Sequence, residues 1–471
     1  MDTVRPFLGR LAASLGLALA LALGLVMLVS TLPANPPATS AGSGVASAAA
    51  AAAEPNPVTP GDFTGYGFDQ CLAPTQAAMD RWLEHSPFLA VGIYISGNSR
   101  ACRNQPNLTP TWIRTQLAKG WRLLPITLGP QASCLSRFPR YDDDPTINPK
   151  PGRKGKYSLA RKQAKNEAIT AVAEARRLGI VAGSTLWYDL EGFNSNLEAC
   201  RESALFFLSA WTKKLHKLGY VSGVYSSVGS GIKVLDEARV NRPGVFTLPD
   251  AIWLARWDGR ANTSSDYIRE DGWRPGGRVK QYQGGHNEKW GGVTINIDRN
   301  FLDVGRGSVA AKEQHCAGTR VNFRDYPKIK ASVARSSGDS KQVSALKCLL
   351  KEKGFYDGGL RGRYSNKLAA AIRAWKQQMG LKASDNWSRR NWVSLHATGT
   401  NPVLKAGSAG SDVRRLQRAL NAASNSSRLP VNGVFDGFTA RALEGYQARK
   451  KITASGIANT ATWAALVAGR R

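Results

Sequence analysis

The chain has 471 residues, 42% of them hydrophobic, so it is too long for one ordinary domain and too apolar for a disordered protein. Its 64 Lys and Arg residues outnumber 34 Asp and Glu residues, which gives a formal net charge of +30. Such a charge favours anionic partners in general, including nucleic acid, anionic lipid surfaces and acidic wall polymers, without choosing among them.

The N-terminal segment predicts export. Arg5 and Arg10 precede an apolar run from Leu11 to Val29, and a tract rich in Pro, Ala and Ser then extends to about Pro60. Residues 1–30 are interpreted as a signal peptide. Because the run approaches the ~20 residues that span a bilayer, an uncleaved anchor is the alternative. The remainder is expected outside the cytoplasm, extracellular or in the cell wall, with no nucleic-acid partner and membrane contact only through the anchor.

Short β-rich runs alternate with helical stretches from residue 61 to residue 308, after a linker over 31–60. The runs are 64–69, 90–96, 121–128, 184–191, 220–227, 250–257, 278–284 and 293–300. This alternation predicts a (β/α)8 barrel, in which some of the later helices are reduced to loops. A doubly wound open sheet is the alternative, although no GxGxxG motif follows the first strand.

Six cysteines agree with an oxidising compartment, and the absence of a CxxC pair argues against a zinc site. Three disulfides are therefore expected, with 15 connectivities to choose from. The order of the predicted strands favours the pairs Cys71–Cys102, Cys134–Cys200 and Cys316–Cys348.

The C-terminal part repeats itself after a second predicted linker over 309–337. The first copy spans 338–397 and the second 403–471, at an offset of about 70 residues. Corresponding apolar positions follow the spacing of one helix face: Tyr364 and Phe435, Ile372 and Leu443, Trp375 and Tyr446, Leu381 and Ile452, Trp392 and Trp463. Self-similarity at this period predicts two copies of one small helical module.

Four acidic residues occupy the predicted ends of barrel strands, where a barrel of this type places its functional groups. Asp69 follows the first strand, Asp189 and Glu191 end the fourth, and Asp298 ends the eighth. Paired carboxylates are what glycosidic cleavage requires, one protonated and the other ionised. Helix capping and a bound Ca²⁺ or Mg²⁺ are the alternatives. Capping is disfavoured because Thr75 and the sequence from Ser195 to Glu198 already supply caps.

Candidate substrate-binding groups lie near the same strand ends. The aromatic side chains of Tyr94, Tyr225, Trp253 and Trp257 are of the type that stacks on sugar rings, although each is more often a packing residue. Gln281 in the seventh strand completes the predicted substrate-binding set. His286, in a Gly-rich segment, is interpreted as a loop histidine rather than as a catalyst. No dedicated cofactor or metal is expected.

The motifs YGFDQC, WYDLEG, AIWLARW, VKQYQG and INIDRNFLD resemble, in order, the strand ends of the lysozyme-type muramidases that carry an Asp-x-Glu pair. GFDQCLAPT, AVGIYISG, GWRLLPITLG and VSGVYSS resemble more closely the secreted actinobacterial glycoside hydrolase-like domains of unknown function. The resemblance implies that Glu191 is the proton donor and that Asp69, Asp189 and Asp298 are supporting carboxylates.

The C-terminal repeats resemble the three-helix peptidoglycan-binding module. The first copy departs from the family pattern at Leu368 and Asp385, so the second copy is expected to be the better binder. Together these features predict a secreted, monomeric glycoside hydrolase that cleaves β-1,4 bonds of peptidoglycan, with added adhesion to anionic wall polymers. The alternative is a wall protein that binds glycan through an inactive barrel.

Overall fold

A computed structural model describes residues 54–135, 144–323, 325–336, 340–425 and 428–471. The predicted leader and most of the first linker lie outside the described residues. Within these ranges, no helix is long and apolar enough to cross a membrane.

The described part of the chain contains eight strands that close into one barrel in sequence order. Their bounds are β1 Phe63–Asp69, β2 Ala90–Ser96, β3 Arg122–Thr127, β4 Thr185–Asp189, β5 Val221–Ser227, β6 Ala251–Ala255, β7 Gly277–Trp290 and β8 Val293–Val304. The barrel helices are α1 Gln76–His85, α2 Pro110–Ala118, α3 Ser158–Leu178, α4 Glu198–Lys217 and α5 Lys233–Asn241. The predicted barrel is therefore confirmed, with helices after the first five strands.

The direction of β8 differs from the prediction of an all-parallel barrel. Strands β1 to β7 pair in parallel, whereas β8 is antiparallel to both β7 and β1. The cause is a hairpin: Gly291 and Gly292, at φ +55° and +87°, form a two-residue turn between β7 and β8. A Gly-Gly pair adopts such positive φ values without strain, and this turn type matches the twist of a hairpin. Asp298 therefore lies within β8 rather than at its C-terminal end.

Helix capping agrees with one prediction and contradicts another. The Thr75 side chain accepts a hydrogen bond from the backbone N–H of Ala78 and caps α1, as predicted. The predicted capping box from Ser195 to Glu198 is wrong: the N-cap residue of α4 is Leu197, and no side chain caps that end. Ser195 lies two residues too early to reach the helix terminus.

All three predicted disulfides are present. Cys71–Cys102 joins the loops after β1 and β2, Cys134–Cys200 ties the loop after β3 to α4, and Cys316–Cys348 lies in the C-terminal region. The first of these bonds closes the rim of the barrel beside the predicted acids.

The C-terminal region is helical, with α6 Ala331–Ser336 followed by two groups of three helices. The first group is α7 Lys341–Glu352, α8 Asn366–Gln378 and α9 Arg389–Ala397; the second is α10 Ser411–Ala423, α11 Gly437–Arg449 and α12 Thr460–Val467. The paired aromatic and aliphatic positions of the repeats are buried in one shared core, apart from the half-buried Leu381 and Ile452.

Part of the segment predicted to be the second linker is packed rather than extended. Val321, Tyr326 and Ile329 are buried in the core of the repeats, and Ile329 pairs with Trp387 through two backbone hydrogen bonds. Their apolar side chains are too widely spaced to show a helical period, which is why the segment resembled a linker.

The second repeat is docked on the barrel. The ammonium group of Lys405, which is buried, donates hydrogen bonds to the carbonyl oxygens of Ser86 and Phe88 at 2.8 and 3.1 Å, just after α1. Gly407 lies against the ring of Phe63, so closely that a Cβ atom would approach it to 2.5 Å. The contact is therefore made at the pole of the barrel where β1 begins.

Candidate active site

Asp69, the last residue of β1, is 5% exposed and is held by two amide side chains. Asn300 Nδ2 donates to Asp69 Oδ1 at 2.6 Å, and Gln281 Nε2 lies 3.3 and 3.4 Å from the two carboxylate oxygens. Asn300 is itself fixed, because its Oδ1 accepts from the indole N–H of Trp253 at 2.8 Å. These partners come from β6, β7 and β8, so the closed barrel is what brings them to Asp69.

Asp298 lies directly opposite Asp69 in the β1–β8 register. Burial raises the pKa of Asp69 well above its usual value, and the charge of Asp298 raises it further, while hydrogen bonds from Asn300 and Gln281 oppose the shift. Burial also raises the pKa of Asp298, to about 6, with Glu191 as an additional cause. Two carboxyl groups in this arrangement favour a state in which they hold one proton between them.

Asp189 and Glu191 form the second half of the site. Asp189 ends β4 and is 3% exposed, and the Tyr94 hydroxyl donates to its Oδ2 at 3.2 Å. Gln131 holds the backbone just after β4 through two hydrogen bonds. Its Nε2 donates to the carbonyl oxygen of Asp189, and its Oε1 accepts from the N–H of Glu191, both at 2.9 Å. The half-buried Glu191 thus lies on a backbone segment held at two points.

The charges of all four acids act on one phenol, that of Tyr225. Burial raises the pKa of Tyr225 well above its usual value. The negative charges of Asp189, Glu191, Asp69 and Asp298 raise it further. The four predicted catalytic residues are therefore brought together at one mouth of the barrel. A cleft of about 210 Å³ opens beside Asp69 and Asp298, and its lining also includes Tyr94, Arg100 and the Cys71–Cys102 disulfide.

The predicted substrate-binding residues divide into three groups. Tyr94 and Tyr225 are half-buried and contact the acid network, through Asp189 and Gln281 respectively. Gln281 is buried and links Tyr225 to Asp69. For Trp253 the prediction of a substrate-binding role is wrong. Its side chain is 1% exposed and packs against Trp187 and Tyr225 inside the barrel, so it presents no face to a ligand.

His286 lies on β7 and not in a loop, because the hairpin extends through the Gly-rich segment. Its Nε2 is 3.0 Å from a carboxylate oxygen of Glu288, which also accepts two hydrogen bonds from Arg299 and one from Trp290. The imidazole therefore belongs to a charged cluster on the hairpin, apart from the hydrogen bonds that hold the four acids.

Among the described residues, the four acids do not bring three candidate ligand atoms within 4.8 Å of one another. Over the described ranges, the one group of three or more candidate ligand atoms that lie within 4.8 Å of one another is Cys316, Cys348 and Glu352. The two sulfur atoms of that group are bonded to each other.

Gln131 and Asn300 are positioning residues that the sequence reasoning did not identify. Gln131 lies in the loop after β3 and Asn300 in β8, and no motif or spacing marks either as functional. The available signal for Asn300 was its position two residues after Asp298 in INIDRNFLD, which places both side chains on the same face of the strand.

Residues 80–302 match the family described as "Rv2525c-like, glycoside hydrolase-like domain", a range that includes three of the four acids and begins after Asp69. Residues 339–389 and 409–466 match the family described as "Putative peptidoglycan binding domain". The chain carries an Rv2525c-like, glycoside hydrolase-like domain. Two peptidoglycan-binding repeats follow it.

Three solved structures illustrate what the glycoside hydrolase-like domain is similar to. An uncharacterized protein of B. stearothermophilus is 18% identical over 50% of this chain and 95% of its own, with a TM-score of 0.32. The Tat-secreted protein Rv2525c of Mycobacterium tuberculosis, in complex with L-tartrate, is 13% identical over 52% and 98%, with a TM-score of 0.35. A family 25 glycosyl hydrolase from Bacillus anthracis is 12% identical over 54% and 94%, with a TM-score of 0.30. No curated protein matches the chain significantly.

Proposed function

We propose that this chain is an extracellular cell-wall hydrolase that cleaves β-1,4 glycosidic bonds of peptidoglycan by carboxylate acid–base chemistry. The observation that carries the proposal is the convergence of Asp69, Asp189, Glu191 and Asp298 at one mouth of the barrel. In that cluster, carboxyl groups with raised pKa lie beside the acidic pair at the end of β4.

The proposed role of Glu191 comes from the resemblance to the Asp-x-Glu muramidases, and the position of each acid supports the roles that follow. Glu191, half-buried at the rim, donates a proton to the leaving glycosidic oxygen as the bond from that oxygen to the anomeric carbon breaks. Asp189, fixed by Tyr94, lies two residues away and stabilises the positive charge that develops on the sugar. Water then supplies hydroxide to the anomeric carbon and returns the proton. The Asp69–Asp298 pair keeps one negative charge near the reaction centre and shares one proton across its hydrogen bond.

The remaining features support the same setting. The peptidoglycan-binding repeats supply a wall partner, and the three disulfides suit an oxidising compartment. The formal charge of +30 adds attraction to anionic wall polymers. The protein acts as a monomer in this proposal, since all four acids and their positioning residues belong to one chain.

The test compares the described chain from residue 54 onward with its Glu191→Gln variant on purified peptidoglycan. Glu237→Gln, a half-buried glutamate on α5, is the matched control. The expected result is that the wild type and the control release new sugar reducing ends, detected by mass spectrometry, and that Glu191→Gln releases none. Equal release by Glu191→Gln would assign the proton donor elsewhere.

One observation favours a second candidate, a non-catalytic glycan-binding barrel. Asp69 and Asp189 are 5% and 3% exposed and already hold protein partners, as buried structural carboxylates do. Under this reading the wild type and Glu191→Gln sediment with peptidoglycan equally, and neither releases fragments from it or from other β-1,4 glycans.

A further inference from the structure

Trp257, two residues after β6, is an exposed aromatic side chain at the acid mouth. It is 66% exposed, in contrast to Trp253 of the same strand region, which is buried in the barrel. A Cβ atom added to Gly284 of β7 would come within 2.5–2.7 Å of three atoms of the Trp257 ring. The indole therefore lies directly against a bare stretch of backbone on one side, and most of its surface remains open to solvent.

The ring is fixed in orientation. Its Nε1 donates to Gln281 Oε1 at 2.9 Å, and Gln281 is buried. The next residue, Asp258, accepts a hydrogen bond at 2.8 Å from the ammonium group of Lys280, which is fully buried. An aromatic surface held in place in this way loses little conformational freedom when a ligand covers it.

A chain of hydrogen bonds connects the exposed ring to the acids. Gln281 Oε1 accepts from both Trp257 and the Tyr225 hydroxyl, and its Nε2 lies 3.3 Å from Asp69 Oδ1. Trp257 thus lies one amide away from a carboxyl group of the site. A single exposed apolar residue on a surface is ordinary and needs no functional explanation. Trp257 differs from such a residue because its ring is hydrogen-bonded to the side chain that contacts Asp69.

We propose that Trp257 is a stacking surface for a pyranose ring of a glycan strand and that Gln281 couples this contact to Asp69. The apolar C–H face of a pyranose fits a flat, exposed indole, while its hydroxyl groups remain available to the polar side chains of the cleft. The proposal rests on the proposed function for the identity of the ligand as a wall glycan. Trp257 is a positioning residue for the strand, and it touches none of the reacting atoms.

The first measurement is binding of a soluble β-1,4-linked N-acetylglucosamine tetramer, followed by tryptophan fluorescence or calorimetry. Trp257→Ala is expected to weaken binding about tenfold, because the stacked ring is lost. Trp257→Phe is expected to retain most of the affinity. The control Ile169→Ala removes an exposed apolar side chain, 48%, from α3 of the barrel, and is expected to change nothing.

The second measurement separates stacking from the coupling through Gln281. Trp257→Phe keeps an aromatic face but lacks the indole N–H, so it is expected to shift the pH profile of turnover while KM changes little. Trp257→Ala is expected to raise KM. Binding of the tetramer by Trp257→Ala with wild-type affinity, or no binding by the wild type, would overturn the stacking proposal. Weakened binding in Trp257→Ala without turnover by any protein would support stacking and refute the hydrolase function.

Discussion

Asn300 offers the sharpest test of how the site tunes its acids. It is fully buried, and its amide donates to Asp69 at 2.6 Å, a hydrogen bond that favours the ionised carboxylate. A hydrogen bond to a charged group contributes ~1.5–3 kcal/mol. One pKa unit corresponds to about 1.4 kcal/mol, so Asn300→Leu is expected to raise the pKa of Asp69 by a further ~1–2 units. Because Asp69 interacts with Asp298, the shift is expected in the two apparent pKa values of the pair.

The assay is an infrared titration of isotope-labelled aspartate carboxyl groups, with the pH profile of turnover as a second readout. Asn241→Leu, an exposed position at the end of α5, is the matched control. The direction of the pKa shift of Asp69 also predicts how the stability of the variant depends on pH. A carboxyl whose pKa is raised on folding stabilises the protein below its unfolded pKa and loses that contribution as pH rises. Asn300→Leu should therefore lose more stability at neutral pH than at acidic pH. A folded variant whose carboxyl pKa values stay within about 0.3 units of wild type would refute this account of Asn300.

Two further predictions concern the C-terminal region. Lys405→Met deprives two buried barrel carbonyl oxygens of their donor, at ~1–3 kcal/mol each, so it is expected to lower the free energy of unfolding in urea by at least ~2 kcal/mol. The exposed Lys382→Met should stay within ~0.5 kcal/mol of wild type, and equal effects would contradict the docking role. Hydrogen bonds to Glu313 and Glu352 raise the pKa of His315, so its stabilising contribution is present below about pH 6.5 and is lost as pH rises through the folded-state pKa. His315→Gln should flatten this pH dependence of the melting temperature, and an unchanged pH dependence would count against the cluster.

The regular parts of the fold could be predicted because their signals are local. Strands β1 to β6 are short runs rich in β-forming residues, α1 has its cap in Thr75, and the paired positions of the two repeats recur at a fixed offset. The direction of β8 was missed because the predicted alternation favoured one more parallel unit. The hairpin depends on Gly291 and Gly292, and the glycines of that segment were interpreted as a loop. A two-residue Gly-Gly turn between alternating runs was the signal to use.

Asp69, Asp189 and Glu191 could be predicted to converge because the ends of parallel strands meet at one mouth of a barrel. Asp298 reaches the same mouth from within the antiparallel β8, and the residues that support the acids could not be predicted. Gln131 is 60 residues from Glu191, and Asn300 is 231 residues from Asp69, so no sequence spacing relates either pair. Trp253 was misassigned because the parity of a five-residue strand decides whether a side chain points into the barrel, and the sequence of β6 is apolar on both faces.

The second repeat is in fixed contact with the barrel, unlike a binding module on a flexible tether. A module on a flexible connection raises the local concentration of substrate around the cleft. Here Lys405 and Gly407 attach the repeat where β1 begins, and Asp69 lies at the other end of the same strand. Seven residues of strand span about 20 Å, so the repeat and the acids lie at opposite poles of the barrel. The repeat that is proposed to bind peptidoglycan is therefore docked at the pole opposite the cleft. The contact therefore sets the distance and direction of the acid mouth relative to the second repeat, which a flexible tether does not.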